Sequence, residues 1–168
     1  TGFPLPKENI GDNEEIVGID MAKRMRVLDP EGHQAEYYDF IQEKYPEVFM
    51  PKEAPRPLTI TFAVGGAGAQ KEVGEALVKN LAVDIRSGKY HLNLVAGSRP
   101  EVKDYFEKVL VKSGFSSGQG IDIIFAPDKI EYFRLLNARL RDTDVLWTKP
   151  SEMSFYCGLG LPIIISSP

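Results

Sequence analysis

The sequence predicts an α/β domain: a Rossmann-like, doubly wound parallel sheet of about five strands, preceded by a helical extension. From Leu58 onward, short runs of β-favouring apolar residues alternate with segments in which apolar residues recur every three or four positions. The runs are apolar throughout, which is typical of parallel strands buried on both faces. Right-handed crossovers between such strands place helices on both sides of the sheet.

The predicted elements follow one another in a regular order. Strands are predicted over 58–64, 90–96, 121–126, 144–148 and 162–166. Helices are predicted over 70–86, 100–112, 129–141 and 152–159. Pro100 suits the first position of its helix, and Asp128 is expected to cap the helix that begins at Lys129.

Residues 1–57 lack this alternation of strand and helix patterns. Residues 1–13 are rich in proline and glycine and are expected to be a loop. Helices are predicted over 14–28 and 34–44, and the four prolines within 46–57 indicate a stiff connector. The apolar residues of the first of these helices fall on one stripe: Val17, Met21, Met25 and Leu28.

Composition limits the classes of partner. The chain has 168 residues, a formal net charge of −4 and a single cysteine, Cys157. A negative net charge gives no general attraction to nucleic acid or to an anionic membrane. A single cysteine forms no disulfide within the chain and suits a reducing compartment, so the cytoplasm is expected. No apolar run approaches the roughly 20 residues that span a bilayer.

The two ends suggest an excised part of a longer protein. Thr1 opens the chain inside a turn-rich phrase, and Pro168 follows closely on the last predicted strand, where an α/β domain normally continues into a helix. We therefore expect residues 1–57 to be an interdomain linker with a helical extension. Residues 58–168 are expected to be a nucleotide-binding domain that is truncated at its carboxyl end.

Ligands in open parallel sheets bind beyond the carboxyl ends of the strands. That rule brings four loops to one edge: 65–69, 97–100, 126–129 and 148–152. Glycines allow a sharp turn and close backbone approach, and a helix start offers unpaired N–H groups, so the first loop predicts a cradle for a diphosphate. The alternative is a tight turn with small residues for packing. The residues concerned are Gly65, Gly66, Ala67, Gly68, Ala69 and Gln70.

That first loop has neither the dinucleotide fingerprint GxGxxG nor a Walker lysine. In the second loop, Arg99 could bind phosphate with two nitrogens, or be a solvated surface residue. In the third, backbone groups of Phe125 and Ala126 could contact a base, although a simple helix start is the plainer interpretation.

The fourth loop is the most polar, with Lys149, Ser151 and Glu152 in four residues. Lysine suits phosphate charge, and a carboxylate at this edge suits ribose hydroxyls. The alternative is a capping arrangement for the next helix.

Other reactive residues are weaker candidates. His33 and His91 have no metal-ligand spacing with Cys157, so no metal site is expected. His91 is expected to be a structural histidine, while Cys157 and Trp147 are expected to lie in the core.

Three phrases in this order resemble a known family. They are the first strand with GGAGAQ, the later DTDVLWTKPSE, and GLGLPIII. Together they resemble the carboxyl-terminal domain of GT-B glycosyltransferases, within the group of the bacterial peptidoglycan N-acetylglucosaminyltransferase and the plant monogalactosyldiacylglycerol synthases. The opening TGFP is similar to the phrase that ends the family's amino-terminal domain. The resemblance covers about two thirds of the chain, mostly from Leu58 onward.

The resemblance implies that this domain binds a nucleotide-sugar donor, expected to be a UDP-sugar, as its substrate and needs no cofactor. Residues 65–70 would face the diphosphate, backbone at 125–127 would contact the base, and 144–162 would hold the donor. The family's ribose-binding glutamate would fall near Phe155, which cannot take that role, so Glu152 is the expected substitute. The acceptor, which could be a membrane lipid, and the general base would belong to the missing amino-terminal domain. No catalytic residue is therefore expected in this chain.

Two other functions remain open at this point. A UDP-sugar 2-epimerase on the same fold would also cleave the sugar–diphosphate bond, but it needs a set of acidic and histidine groups that we do not find here. A non-catalytic Rossmann-like module, binding a nucleotide or a protein for regulation, would account for the unusual extension at 14–57.

Overall fold

The computed structural model describes residues 5–33, 35–49, 56–63, 70–116, 118–149 and 153–165. The strands are β1 (Leu58–Ala63), β2 (Tyr90–Gly97), β3 (Ile121–Phe125), β4 (Val145–Thr148) and β5 (Ile163–Ile165). The helices of the extension are α1 (Lys7–Ile10), α2 (Glu15–Leu28), α3 (Ala35–Lys44) and α4 (Pro46–Phe49). The helices that follow β1 are α5 (Lys71–Asn80), α6 (Ala82–Arg86), α7 (Pro100–Lys112), α8 (Lys129–Arg141) and α9 (Met153–Gly158).

All five strands run parallel in one sheet, in the order β3–β2–β1–β4–β5. Phe62 of β1 lies opposite Leu94 of β2 on one side and Trp147 of β4 on the other. The predicted Rossmann-like α/β fold with five strands is confirmed. The chain moves outward from β1 to β3, returns across the sheet and then adds β4 and β5, so the strand order reverses between β1 and β4.

Because the crossovers before and after this reversal run in opposite directions, right-handed connections put their helices on opposite faces. Helices α5, α6 and α7 pack on one face, which we call the α5–α7 face. Helices α8 and α9 pack on the other, the α8–α9 face, where α1 and α2 join them.

The α5–α7 face carries the larger apolar core. Leu92 and Leu94 of β2 turn into it and are fully buried, together with Phe106 of α7. Gly74 of α5 is required for this packing, because a Cβ there would lie 2.7 Å from the ring of Phe106.

The α8–α9 face mixes apolar and polar groups. Val95 joins a smaller apolar cluster there. Its neighbour Asn93, 2% exposed, donates a hydrogen bond of 3.0 Å to the hydroxyl of Thr61. The hydroxyls of Thr61 and Thr143 lie 2.7 Å apart. Hydrogen bonds of this kind offset part of the cost of burying polar groups.

Helix α2 forms as predicted, but its predicted apolar stripe is not its buried face. The buried residues are Asp20, Ala22 and Arg24. Met21 and Leu28 are 40% and 39% exposed. The polar side chains are buried because they bond to groups of the sheet domain, which apolar spacing does not reveal.

The structure also differs from expectation in two additional short helices and one helix break. The predicted loop 1–13 contains α1, which Pro6 opens by accepting hydrogen bonds from the N–H groups of Asn9 and Ile10. The predicted connector contains α4, and Pro46 occupies its first position, where the missing N–H costs nothing. The helix predicted over 70–86 is broken at Leu81, whose ψ of 3° is not helical.

Candidate functional site

The candidate site lies at the carboxyl edge of the sheet, where β1 and β4 end side by side at Ala63 and Thr148. The chain leaves β1 toward α5 on one face and leaves β4 toward α9 on the other. Neighbouring strands whose connections diverge in this way open the crevice in which α/β domains usually bind ligands. The two segments with the strongest predicted ligand contacts, 65–69 and 149–152, follow these two strands.

The segment after β1 is described from Gln70 onward. Gln70 has φ 67° and ψ 24°, a left-handed conformation that is uncommon outside glycine. Its carbonyl accepts a hydrogen bond of 2.9 Å from the N–H of Val73, so Gln70 opens α5, as predicted. The remaining predicted cradle residues lie outside the described residues: Gly65, Gly66, Ala67, Gly68 and Ala69.

Arg99 follows β2 and precedes the first residue of α7, Pro100, as predicted. The side chain of Arg99 is 44% exposed, and its Nη1 lies 3.7 Å from Oε1 of Glu101. An ion pair this long and this exposed contributes little to stability.

Phe125 and Ala126 end β3 beside β2. The N–H of Ala126 donates a hydrogen bond of 3.2 Å to the carbonyl of Gly97, so this N–H is engaged within the protein. Ala126 is buried, and the ring of Phe125 packs against the core of the α5–α7 face. Any base contact at this strand end would therefore use other backbone groups than this N–H.

Lys149 follows β4 directly and is half-buried. Ser151 and Glu152, the other two predicted contacts of this loop, lie outside the described residues. Of the polar loop, the structure therefore locates the lysine at the edge where phosphate binding is predicted.

Strand order sets how far apart these groups stand. Neighbouring strands are about 4.8 Å apart, so the ends of β2 and β4, on either side of β1, are separated by about 10 Å. The ends of β3 and β4 are separated by about 14 Å. A ligand that contacted both Arg99 and Lys149 would have to be extended along the edge, with anionic groups near β1.

The phrase Asp144–Pro162, which the family resemblance assigns to the donor, is divided by the fold. Asp144 stands at the amino end of β4, on the opposite edge, and its carboxylate accepts hydrogen bonds from Arg56 and from the N–H of Thr59. Gly160, with φ 63°, lies in the turn after α9 and also faces away from the crevice. Among the described residues of this phrase, Lys149 is the one that directly follows a strand at the carboxyl edge.

Other reactive residues have structural surroundings. His91 lies with its Nε2 3.3 Å from Oδ2 of Asp122, consistent with a structural histidine, and Trp147 packs partly against the α5–α7 core. The prediction for Cys157 was wrong: it is exposed, whereas Tyr156 of α9 and Leu159 in the turn after it are the buried residues. Within the described part of the chain, no three His, Cys, Asp or Glu side chains are grouped to hold a metal ion.

A groove of about 620 Å³ runs along β3, between α7 and α8, away from the crevice. Its charged groups are paired, Lys103 with Glu107 at 3.2 Å and Arg139 with Asp122 at 3.5 Å. Lys103 also places its Nζ 5.6 Å from the ring centroid of Phe125. Sequence reasoning did not select Lys103, although its position one turn after Arg99 puts it near the same edge.

Comparison with protein-family models, curated proteins and solved structures found no match to this chain. Among the described residues, no helix is both long enough and apolar enough to cross a bilayer.

Proposed function

We propose that this chain is the donor-binding half of a GT-B glycosyltransferase whose substrate is a nucleotide diphosphate sugar, expected to be a UDP-sugar. The sugar would be transferred to the acceptor with inversion of its anomeric centre. A further domain would hold the acceptor and the general base. The full protein would act in the cytoplasm, at a membrane surface if the acceptor is a lipid.

In this proposal the chain binds and orients the donor and stabilises its leaving group. Backbone N–H groups of 65–70 would face the diphosphate, and Lys149 with Arg99 would supply positive charge as the sugar–phosphate bond breaks. Ser151 and Glu152 would bind hydroxyl groups of the ribose or the sugar. Free backbone groups near Phe125 would contact the base.

The observation that supports the proposal is the position of the strand-order reversal. The glycine-rich segment and the lysine segment lie about 80 residues apart in sequence, yet they follow the two strands that flank this reversal. In open α/β sheets this is the usual ligand position.

Calorimetric titration with UDP, UDP-GlcNAc, UDP-galactose and GDP tests the proposal. We expect weak binding of the uridine nucleotides and no sugar transfer by this chain alone. Lys149→Ala should weaken UDP binding about tenfold, the equivalent of one charge-assisted contact. Lys112→Ala, at the opposite end of α7 from the crevice, is the matched control and should leave the affinity unchanged.

If none of these nucleotides bound, the proposal would be refuted. Tighter binding of GDP than of UDP would show that the donor carries guanine instead of uracil. Unchanged UDP affinity in Glu152→Gln would show that Glu152 does not bind the ribose. Conversion of a UDP-sugar by the full-length protein without an acceptor would favour the epimerase instead.

A further inference from the structure

The turn after α9 lies against the helical extension. A Cβ built on Gly158 would lie 3.1 Å from Cδ1 of Leu5, and one on Gly160 would lie 2.5 Å from Cγ of Met21. Both glycines therefore allow the extension to approach more closely than a side chain would permit. We call residues 158–160 and the side chains that touch them the α9 seam.

Arg24 crosses this seam and ties it to the end of α8. Its guanidinium donates from Nη1 to the carbonyl of Leu159 at 2.8 Å, from Nη2 to that of Leu140 at 3.0 Å, and from Nε to that of Thr143 at 2.6 Å. Arg24 is 3% exposed. The planar guanidinium of arginine can donate hydrogen bonds to three carbonyls in fixed directions, whereas the compact ammonium group of lysine cannot span them.

The charge on Arg24 is retained at a cost. Burial lowers the pKa of the Arg24 guanidinium, and the carboxylate of Asp20 counters part of that effect. Carbonyls at the carboxyl ends of helices carry partial negative charge, which favours a cation there. The contacts therefore hold the end of α8 and the end of α9 at fixed positions relative to α2.

A second arginine from before β1 holds the start of β4. Arg56 donates two hydrogen bonds, of 2.7 and 2.6 Å, to the carboxylate of Asp144, whose side chain is fully buried. The segment from β4 to α9 is thus secured at both ends by residues that precede the sheet. Along the chain, Lys149 lies between these two anchors.

We propose that Arg24 is a positioning residue for the candidate nucleotide site. It fixes the carboxyl end of α9 and thereby sets how α9 is placed relative to Lys149 and the end of β1. Helix α9 has six residues and is about 9 Å long, so a displacement at one end reaches the other. The inference rests on the proposed function, and it makes the extension part of the donor site's framework.

The test compares Arg24→Met with Val109→Ala, which removes apolar volume from the α5–α7 face, where Val109 is 4% exposed. Both variants are titrated with UDP at a temperature at which circular dichroism shows them to be folded. We expect Arg24→Met to bind UDP about tenfold more weakly, comparable to the loss when outer hydrogen-bonding support is removed at metal sites. Val109→Ala should bind as the unchanged protein does, although it is destabilised.

Hydrogen exchange on the same variants gives a readout that does not depend on nucleotide binding. Arg24→Met should exchange faster over 145–165 and not over β2, whereas Val109→Ala should show no such selectivity. If Arg24→Met does not fold, Arg24→Lys replaces it. Lysine keeps the charge but not the three-way contact, so its UDP affinity should be intermediate.

Unchanged UDP affinity in folded Arg24→Met, or an equal loss in Val109→Ala, would overturn the inference. Arg24→Lys that binds as tightly as the unchanged protein would do the same. If the unchanged protein binds no nucleotide, the proposed function fails on its own. Exchange over 145–165 then decides whether Arg24 holds this segment: selective acceleration supports the anchor, and uniform exchange refutes it.

Discussion

The two faces of the sheet are held together by different chemistry. On the α5–α7 face, apolar side chains such as Leu77 and Phe106 pack in one continuous core. On the α8–α9 face, packing is completed by hydrogen bonds between segments 119 to 129 residues apart. They join Arg24 to Thr143, Asn9 to Asn137, and Asn137 to Glu8.

This difference explains where sequence patterns succeed. Burial of apolar area is non-directional, so the spacing of Val102, Phe106 and Val109 is enough to identify the buried side of α7. A hydrogen bond needs a partner at a defined distance and angle. Arg24 therefore resembles a solvated residue in the sequence, although it is among the most buried residues of α2.

The largest expected effect is on the apolar face. Phe106→Ala should lower the free energy of unfolding by about 3–5 kcal/mol, because it removes a fully buried ring and leaves a cavity. Urea unfolding measures this. Val111→Ala, on the same helix but 76% exposed, should change stability by less than about 0.5 kcal/mol. Similar losses in the two variants would contradict the proposed role of this core.

A smaller loss of stability is expected from removing the charge of one buried carboxylate, that of Asp144. Asp144→Asn keeps the volume but removes the charge that binds Arg56 and the N–H of Thr59, so unfolding should become easier by about 2 kcal/mol. Urea unfolding at neutral pH measures the change. Asp142→Asn, at an exposed residue two positions earlier, is the control and should be nearly neutral. A neutral Asp144→Asn would show that apolar packing alone holds this side.

The smallest expected effect on stability comes from a polar contact near the surface of the otherwise apolar α5–α7 face. Tyr105 donates a hydrogen bond to the carboxylate of Glu75, which raises the pKa of Tyr105 to about 12. The folded state therefore keeps this proton when the unfolded state has lost it, and stability should fall as pH rises from about 10 to 12.

Absorbance titration of the phenolates should show a late component near pH 12. Tyr105→Phe should remove that late component and the matching part of the stability change. If Tyr105→Phe instead lost a component at lower pH and kept the late one, the assignment to Tyr105 would be refuted.

The candidate site was only partly accessible from the sequence. The end-of-strand rule identified the loops that contain Arg99 and Lys149, and the parallel sheet brings both to one edge. The family resemblance grouped Asp144 and Gly160 with Lys149 in one phrase, yet the fold places these two at the opposite edge. A strand of four residues is enough to separate Asp144 from Lys149, so closeness in sequence does not establish a shared site.

By itself, the sequence determined the fold class, the parallel sheet and the helices that cover its apolar face, because continuous and periodic apolar patterns bury area without needing a particular partner. Tertiary structure alone decided that β1 and β4 are neighbours, that α1 and α2 dock on the α8–α9 face, and that Arg24 is buried there. Those features depend on strand order and on directional bonds between distant segments, which local patterns do not encode.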